Sequence, residues 1–577
     1  MNKMLKRRVV ADITPQFNED LHPLLQHLYI LRGINSNQAL NRDTQGLLTY
    51  AQLKGIDKAV AILYQALEAK QHILIVGDFD TDGATSTALM VKVLRHFNIT
   101  QVSYIVPDRF IDGYGLSENV VKRAAEQQAK LIITVDNGIS SFAGVELAHR
   151  LGMQVIITDH HLPPSTLPQA DAIINPNQAD CPFTSKHLAG VGVAFYFMLA
   201  LRAHLRKINW FAQHNIPEIN MASLLDLVAL GTVADVVILD QNNRILVHQG
   251  ILRIRHGHAC VGIKALLDIA KKDHHKLSAM DLGYVLAPRL NAAGRMETMS
   301  LGIELLLCDN QSLAKRMASE LDSLNKDRRE VEQSMQVEAV AWLNQIEQTL
   351  QHIPNGIVIY QPDWHQGVIG ILSSRIKDRY YRPVISFAPA GNGMLKGSGR
   401  SIHGFHLKDA LERIDTANPG LIDCFGGHAM AAGLTIAETK LNEFRHCFEQ
   451  LTNEMLDENL LDHVILSDGE LQGDWFNCDI AQLIQDGGPW GQGFPEPLFD
   501  GEFYLHQQRI VADKHLKVVV EPVAGGPLIE GIAFNVDRLT WPNPSIKRVK
   551  LAYHLENNEF RGEKKPQLLI RHLWLMS

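Results

Sequence analysis

The segment from residue 72 to residue 161 alternates short, wholly apolar runs with longer helical patterns, and this alternation constrains the fold more than any other feature of the sequence. The apolar runs predict strands because they are rich in β-branched residues and lack alternation with polar ones. Strands that are apolar on both faces and separated by helices are typical of a parallel sheet covered on both sides. The predicted strands are HILIVGDFD (72–80), VSYIVP (102–107), LIITVDNG (131–138) and VIITDHH (155–161).

The remainder of the chain predicts a second α/β block and an all-β tail. Between Ile303 and Ile353 there is neither glycine nor proline over 51 residues, which indicates one or two long helices. GIVIY (356–360) and PVISFAP (383–389) predict strands of the second block. Several strand patterns after residue 460, with turn residues between them, favour a small barrel such as an OB-fold.

The predicted fold class is therefore α/β, with two α/β domains joined by a long helix and followed by a C-terminal all-β OB-fold. The expected regions are an N-terminal helical segment (1–50), a first, catalytic α/β domain (51–300), the connecting helix (301–353), a second α/β domain (354–458) and the barrel (459–577).

Composition excludes several classes of protein. A hydrophobic fraction of 46% with 20% charged residues is that of a folded globular chain, and no run reaches the roughly 18 apolar residues of a membrane span. Six cysteines without C-x-x-C spacing exclude a zinc ribbon and suit a reducing cytosol. The basic N-terminus has no apolar stretch behind it, so no secretory signal is expected. We therefore expect a cytoplasmic protein without membrane contact.

Net charge, at −8, argues against a wholesale basic coat for nucleic acid, although it leaves room for a local basic channel. Residues 501–577 contain 11 lysines and arginines against 8 acids, so the tail is mildly basic on an acidic body. An excess of this size also fits ordinary sampling.

Acidic residues and histidines follow three of the predicted strands at the points where the strands end. Carboxyl ends of parallel strands are where ligands bind, and carboxylates gathered there repel one another unless a cation lies between them. The segment 78–83 has the D-x-D-x-D-G pattern of an EF-hand, but Leu89 stands where that loop needs glutamate. Mixed oxygen and imidazole ligands favour Mn²⁺, with Mg²⁺ as the alternative. The residues concerned are Asp78, Asp80, Asp82, Asp136, Asp159, His160 and His161.

Asp235, which follows an apolar helical pattern (224–234), is a further candidate ligand. A single acid in such a place is more often a helix cap or part of a solvated loop, so the metal hypothesis rests on the set of strand ends.

These motifs resemble those of a known family. GDFDTDG (77–83), TVDNGIS (134–140), TDHH (158–161) and LGTVAD (230–235) look like the four motifs of DHH phosphoesterases. Later segments are similar to those of the RecJ-like exonucleases within that family, and the likeness runs from about residue 50 to the end. Those segments are PRLNAAGR (288–295), HQGVIGILSSRI (365–376), LKGSGRS (395–401) and FGGHAMAAG (425–433).

The resemblance implies a bacterial 5′→3′ exonuclease that degrades single-stranded DNA to 5′-mononucleotides by two-metal hydrolysis, in recombinational and mismatch repair. It implies a DHH domain, a DHH-associated substrate-binding domain, a monomer, and single-stranded-DNA-binding protein and helicases as partners. The alternatives are a DHH phosphoesterase of short oligonucleotides, cyclic dinucleotides or pyrophosphate, and a non-enzymatic DNA-binding scaffold.

Carried over from the family, Asp80 and Asp136 would hold one ion, with Asp78 close to it. The second ion would be held by Asp82, Asp136, His160 and Asp235, with Asp136 bridging the two. Asp159 would orient a histidine, and His161 would face the scissile phosphate.

The family also implies contacts with DNA. Arginine forks and glycine-rich loops both suit phosphate. The expected contacts in the α/β domains are Arg109, Arg289, Asn291, Arg375, Ser398, Arg400, Gly426, Gly427 and His428, and those in the barrel are Arg509, Lys514, Lys517, Arg561, Lys564 and Lys565. Tyr114, Trp364 and Phe405 are candidates for stacking on bases.

Structural alternatives stand beside several of these contacts. Glycines 426, 427 and 433 would also serve tight helix–strand packing, Arg109 would also fit a plain surface position, and Arg375 would also fit an i,i+4 pair within its helix. Each aromatic would also fit a core, and the barrel cations would also fit a solvated face.

Overall fold

A computed structural model describes the chain except residues 1–2, 10–13, 109–111, 351–352, 462, 561 and 577, and except the side chains of residues 346–350, 458–459 and 560. The chain divides into two compact units. One contains residues 7–322 and 466–577, and the other contains residues 1–6 and 323–465.

The larger unit is built on a five-stranded parallel sheet, because its strands are apolar on both faces and are joined by helices. The strand order is β3-β2-β4-β5-β6. All residues of β2 and β4 are buried. The elements up to this sheet are β1 (Met4–Arg7), α1 (Pro23–Ile30), α2 (Asn37–Leu40), α3 (Ile56–Glu68), β2 (Ile73–Val76), α4 (Thr81–His96), β3 (Val102–Ile105), α5 (Glu118–Glu126), β4 (Leu131–Val135), α6 (Phe142–Arg150), β5 (Gln154–Thr158) and β6 (Ala172–Ile174).

A helical region follows the sheet. Its central helices, α7 and α9, both pack on α4, which carries the first acidic motif at its start. The helices are α7 (Gly190–Lys207), α8 (Trp210–His214), α9 (Leu225–Ala234), α10 (Gln241–Arg255), α11 (Val261–Ile269), α12 (Ala279–Asp281), α13 (Ala287–Met296) and α14 (Ser300–Leu307).

The glycine- and proline-free interval forms the end of α14 and the 40-residue helix α15 (Gln311–Leu350). A helix of this length spans about 60 Å. In the smaller unit, a five-stranded sheet of order β10-β11-β9-β8-β7 packs on helices around a core that contains Phe387, Phe444 and Phe448. The elements are β7 (Ile357–Tyr360), α16 (Ile369–Tyr380), β8 (Val384–Gly391), β9 (Met394–Arg400), α17 (Leu407–Ala417), β10 (Cys424–Gly427), β11 (Ala431–Ala437) and α18 (Leu441–Met455).

The tail closes into a five-stranded barrel of order β13-β14-β15-β17-β16. Residues of β14 alternate between buried and partly exposed, as a closed barrel requires. The elements are β12 (Val464–Ser467), α19 (Cys478–Asp486), β13 (Phe499–Val511), β14 (His515–Pro522), β15 (Ile529–Ala533), β16 (Arg548–Phe560) and β17 (Glu563–Met576).

The predicted fold class is confirmed: two α/β blocks, a long helix and a C-terminal barrel. The described part of the first fifty residues contains the short strand β1 besides its helices. The domain boundaries proposed from the sequence remain predictions. Among the described residues, no helix is both long and apolar enough to cross a membrane.

Candidate metal centre

The acidic motifs meet at one crevice of the parallel sheet. Strand β2 lies between β3 and β4. The chain leaves β2 toward β3 on one side and leaves β4 toward β5 on the other, so a crevice opens at the carboxyl ends of β2 and β4. The first motif follows β2, Asp136 follows β4, and the Asp-His-His motif follows β5. The order of the strands therefore gathers residues that are up to 83 positions apart in the sequence.

Three groups of side chains bring their ligand atoms within 4.8 Å of one another at this crevice. Asp136 and His160 each belong to two of the groups. The groups are Asp78 with Asp80 and Asp136, Asp82 with His160 and Asp235, and Asp136 with His160 and His161.

Two buried ligand atoms in the centre lack hydrogen-bond partners. His160 Nε2 lies 3.1 Å from Asp136 Oδ1 and 3.4 Å from Asp235 Oδ2. Neither this nitrogen nor Asp136 Oδ1 makes a hydrogen bond, although both are buried. Burial lowers the pKa of His160 to about 3, so the ring is neutral. Buried polar atoms are otherwise nearly always paired, so a neutral imidazole beside carboxylates fits a divalent cation.

Burial and mutual repulsion both disfavour negative charge on the carboxylates of the centre. Burial, followed by the charge of Asp80, raises the pKa of Asp82 to about 7. Burial and then the charge of Asp82 raise the pKa values of Asp136 and Asp235 well above the ordinary range of a carboxyl group. A divalent cation would reverse these shifts by offsetting the charge.

Asp82 also has a structural role. Its two carboxylate oxygens accept hydrogen bonds from the backbone N–H groups of Gly190 at 2.6 Å and Val191 at 2.9 Å, at the start of α7. An anion at a helix N-terminus is stabilised by the unpaired N–H groups there. Asp82 is therefore a helix cap and a candidate ligand together, because each carboxylate oxygen has a second lone pair.

Asp159 orients His161 and does not point at the carboxylate cluster. Its Oδ1 lies 2.7 Å from His161 Nδ1, and its Oδ2 accepts from the backbone of Ile139 at 2.9 Å. Burial alone would lower the pKa of His161, but the hydrogen bond and charge of Asp159 outweigh it and raise that pKa to about 9. His161 is thus a cation at neutral pH, which suits contact with a phosphate.

Tyr114, which was expected only to stack on bases, and Gly190, which was not predicted, both contact residues of the centre. The Tyr114 hydroxyl lies 3.3 Å from His161 Nε2 and donates to the Asp136 carbonyl at 3.2 Å. A Cβ on Gly190 would lie 2.5 Å from the Asp136 Cβ, so only glycine lets α7 approach this carboxylate. The sequence carries no signal for either role, because both depend on contacts between distant segments.

Arg289 and Asn291 lie on α13, beside the first acidic motif. Asn291 Oδ1 accepts hydrogen bonds from the backbone and hydroxyl of Thr81, both at 2.8 Å. Arg289 forms an ion pair with Asp322 at 2.9 Å, and only 12% of its side chain is exposed. Both therefore have structural partners, and their contact with DNA stays a prediction. Arg109 lies outside the described residues.

The predicted contacts of the smaller unit lie on β9, on α16 and in the β10–β11 hairpin. Arg400 Nη1 lies 3.3 Å from the Ser398 hydroxyl, and burial lowers the pKa of Arg400. The described residues provide Arg400 with no carboxylate partner. A half-buried guanidinium that has a hydroxyl beside it and no carboxylate partner is a suitable phosphate ligand.

The other predicted contacts of this unit differ in their surroundings. Arg375 pairs with Glu332 of α15 at 2.9 Å, so the i,i+4 alternative is wrong. Gly426 has open space around it, whereas a Cβ on Gly427 would meet the Ala431 carbonyl at 2.4 Å. Both glycines belong to β10, which pairs with β11 in a hairpin, and the atoms nearest a Cβ on Gly427 belong to that hairpin. His428 is exposed at the turn of this hairpin.

Of the three aromatic candidates, the structure exposes one. Trp364 and Phe405 are 5% and 2% exposed, so for them the core alternative is correct. Tyr114 is 53% exposed and lies against the centre.

The predicted barrel cations form two groups, not one track. Strands β13 and β16 are antiparallel and pair from Phe499 with Tyr553 to Tyr504 with Arg548. The β13–β14 and β16–β17 turns therefore lie at opposite ends of the barrel. Arg509, Lys514 and Lys517 belong to the first end, Lys564 and Lys565 belong to the second, and Arg561 lies outside the described residues.

Three family models match this chain. They are described as the N-terminal domain of the DHH family (residues 72–232), the DHHA1 domain (354–454) and the RecJ OB domain (467–572). The first covers the parallel sheet and the acidic motifs, the second the smaller sheet, and the third the barrel.

Known relatives agree with these matches over nearly the whole chain. A single-stranded-DNA-specific exonuclease RecJ from Dickeya dadantii is 57% identical over 99% of both chains. A crystal structure of RecJ with Mn²⁺ from Thermus thermophilus is similar with a TM-score of 0.77 at 27% identity, over 97% of this chain and 79% of the other. Its counterpart with Mg²⁺ gives 0.71 at 25% identity, over 97% and 78%. The chain therefore belongs to the RecJ family of single-stranded-DNA-specific exonucleases, within the DHH phosphoesterases.

Proposed function

We propose that this protein is a metal-dependent hydrolase that degrades single-stranded DNA from its 5′ end to 5′-mononucleotides. One observation carries the proposal: carboxylates that follow β2, β4 and α9 converge, at the switch point of a DHH sheet, on a buried nitrogen of His160 that makes no hydrogen bond. Relatives that match over the full chain are named single-stranded-DNA-specific exonucleases, which supports the substrate class.

Two divalent cations, with Mn²⁺ preferred and Mg²⁺ as the alternative, would activate water and neutralise the attacking and leaving oxygens of a phosphodiester. Asp80 and Asp136 would hold one, with Asp78 beside it. The other would be held by Asp82, Asp136, His160 and Asp235, among which Asp82, His160 and Asp235 have ligand atoms within 4.8 Å of one another. The membership of Asp136 in two of the groups supports its bridging role.

His161 would position the scissile phosphate. Its ring is protonated at neutral pH and is held by Asp159 on one side and Tyr114 near the other. A cation fixed in this way donates a charge-assisted hydrogen bond to a phosphate oxygen with little loss of side-chain entropy. Asp159 would thus act through His161.

Contacts away from the metals would set strand selectivity and direction. Ser398, Arg400, Gly426, Gly427 and His428 in the smaller unit offer hydroxyl, guanidinium, backbone N–H and imidazole donors for phosphates, and Arg375 would add a second guanidinium. Arg109, Arg289 and Asn291 would serve the larger unit. The barrel would hold the strand farther from the cut, because OB-folds bind single strands through cationic grooves.

In the cell we expect a monomer that acts on bacterial DNA in the cytoplasm, in recombinational and mismatch repair. Single-stranded DNA with a 5′ end would be supplied by helicases and covered by single-stranded-DNA-binding protein. These expectations rest on membership of the family.

The test is digestion of one oligonucleotide labelled at either end, with Mn²⁺ and with Mg²⁺. We expect a 5′ label to appear at once as a mononucleotide and a 3′ label to remain on progressively shorter strands. Duplex DNA of the same sequence should resist, and His160→Ala should be inactive while folded. Immediate release of the 3′ label, or equal digestion of the duplex, would contradict the proposal.

A further inference from the structure

Val236 has a backbone conformation that its side chain disfavours. Helix α9 ends at Ala234, Asp235 is its C-cap, and Val236 follows with a φ of +61°. This is the helix-terminating position that usually takes glycine, because a left-handed residue there bonds back to the last turn. The Val236 N–H does so, donating to the Val233 carbonyl at 3.3 Å. For a branched side chain this conformation is strained.

Valine is exceptional at this position within the chain. Fourteen described residues other than glycine have positive φ, and Val236 is the one β-branched residue among them. Other helices end in the same conformation with tolerant residues, for example Asn98 after α4 and Lys271 after α11. The left-handed backbone at the end of α9 therefore does not explain why the residue there is valine.

Burial does not account for the valine either. Its side chain is 63% exposed, so little of its apolar surface is removed from water. The residues on both sides of it are fixed independently. The Asp235 N–H donates to the Gly231 carbonyl at 3.0 Å, and the Leu239 N–H donates to the Gln492 carbonyl at 2.8 Å. The neighbouring contacts hold the left-handed backbone in place, and asparagine or glycine would adopt it at lower cost.

The position is next in the chain to the metal centre. Val236 directly follows Asp235, whose Oδ2 is 3.4 Å from His160 Nε2. His161, which has Tyr114 beside its ring, is followed by Leu162, which is 65% exposed. An exposed apolar residue thus directly follows each of these two residues of the centre in the chain. A nucleotide has this same combination of chemistry, with a charged phosphate and an apolar sugar and base.

We propose that Val236 is a specificity-determining residue that packs against the nucleoside whose phosphate occupies the metal centre. Apolar contact with that nucleoside compensates for the backbone strain when substrate is bound. Against the sugar, a branched aliphatic group tolerates the C2′ methylene of deoxyribose and disfavours the hydroxyl of ribose. The inference rests on the proposed function.

The experiment uses oligonucleotides that differ only in the first nucleotide, which carries deoxyribose, ribose, or deoxyribose without a base. Val236→Asn and Val236→Gly both permit the left-handed backbone and both lack the branched group. The preference is the kcat/KM for the unmodified strand divided by the kcat/KM for a modified strand. We expect each substitution to lower this ratio about tenfold relative to the wild type. A change confined to the ribose substrate identifies a sugar contact, and one confined to the abasic substrate identifies a base contact.

Lys271→Asn is the matched control, because it changes an exposed left-handed residue at the end of α11. It should leave the preferences unchanged. Without metal, both Val236 variants should melt no lower than the wild type, and their affinity for Mn²⁺ should be unchanged. If they slow all three substrates by the same factor, or leave all three unchanged, the proposal is overturned. A wild type that releases nothing from the unmodified strand contradicts the proposed function instead.

Discussion

Asp136 is the most constrained acid of the centre, since it is 2% exposed, has a φ of +63° and has neighbouring carboxylates on several sides. Replacing it with asparagine keeps the shape and tolerates the left-handed backbone, but removes the charge. We expect Asp136→Asn to lower nucleotide release by about 10³-fold, the scale seen when a charge-stabilising group is removed from an active site.

The same substitution should stabilise the metal-free protein by on the order of 1 kcal/mol, because it relieves repulsion with Asp82 and Asp80. Thermal melting with and without Mn²⁺ measures this. A variant that melts lower than the wild type without metal and still gains stability from Mn²⁺ would remove Asp136 from the ligand set.

The raised pKa of Asp82 determines whether the stability of the metal-free protein and its affinity for Mn²⁺ rise or fall with pH. Its pKa is about 7 in the folded chain, above the value of 3.8 that applies without burial and charged neighbours. The folded state therefore holds an extra proton between these values, and metal-free stability should fall as pH rises from about 4 to 7. Metal must displace that proton. We expect affinity for Mn²⁺ to rise about tenfold per pH unit below pH 7 for each proton displaced.

Calorimetric titration at pH 6.0 and 7.0 in two buffers of different ionisation heat measures both the affinity and the protons released. Affinity that is independent of pH, with no proton release, would contradict the assignment of a raised carboxyl pKa at the centre.

At the residue scale, sequence reasoning found the acids and histidines of three motifs because each motif follows a recognisable apolar strand, and Asp235 because it follows an apolar helical pattern. It could not show that Asp82 caps α7 or that Gly190 admits Asp136, because those partners lie elsewhere in the chain. The burial of Trp364 and Phe405 was not predictable either. The sequence around an aromatic residue beside a polar motif does not indicate whether that residue lies in the core or on the surface.

At the scale of elements, α15 carries a buried polar cluster that should dominate its stability. Arg328 donates to Glu332 at 2.9 Å and to Asn325 at 3.2 Å, and Glu332 also accepts from Arg375. Glu332→Ala would leave the buried Arg328 guanidinium without its carboxylate, so we expect a loss of about 3 kcal/mol.

Glu330→Ala, on an exposed position of the same helix, is the matched control and should change stability by less than about 0.5 kcal/mol. Chemical denaturation of both variants gives the comparison. Equal stabilities would mean that the cluster contributes nothing to the fold.

The existence of α15 follows from the absence of glycine and proline, but its buried face does not. Asn325, Arg328 and Glu332 read as an exposed polar stretch in the sequence, and the structure buries them. Polar residues become buried where ion pairs can form between elements, which periodicity does not report.

At the scale of the whole molecule, cations at the two ends of the barrel can be reversed separately, and the effect on DNA binding can be compared between the ends. Charge reversal of Arg509 and Lys514 at one end should weaken binding of long single strands and reduce the salt slope by about 1.4, if both contact phosphates. Charge reversal of Lys564 and Lys565 tests the other end in the same way. Fluorescence anisotropy over a range of salt compares each variant with the wild type, and a slope equal to that of the wild type would remove the altered end from the DNA path.

The arrangement of domains was predictable because alternation of strands and helices, a glycine-free interval and a run of short strands are each visible in a single sequence. The order of the strands in each sheet, and with it the switch point between β2 and β4, was not visible, because it depends on which strands pair. Net charge was a poor guide, since part of the negative charge lies in one cluster suited to cations.

We propose that residues at the ends of β2, β4 and β5 form a two-metal centre with Asp136 between the ions. The number of Mn²⁺ ions retained per chain after equilibrium dialysis tests this for the wild type and for the folded Asp136→Asn variant. We predict two ions for the wild type and a loss of both in the variant at the same free Mn²⁺ concentration. One ion or none in the wild type, or two in the variant, would contradict it.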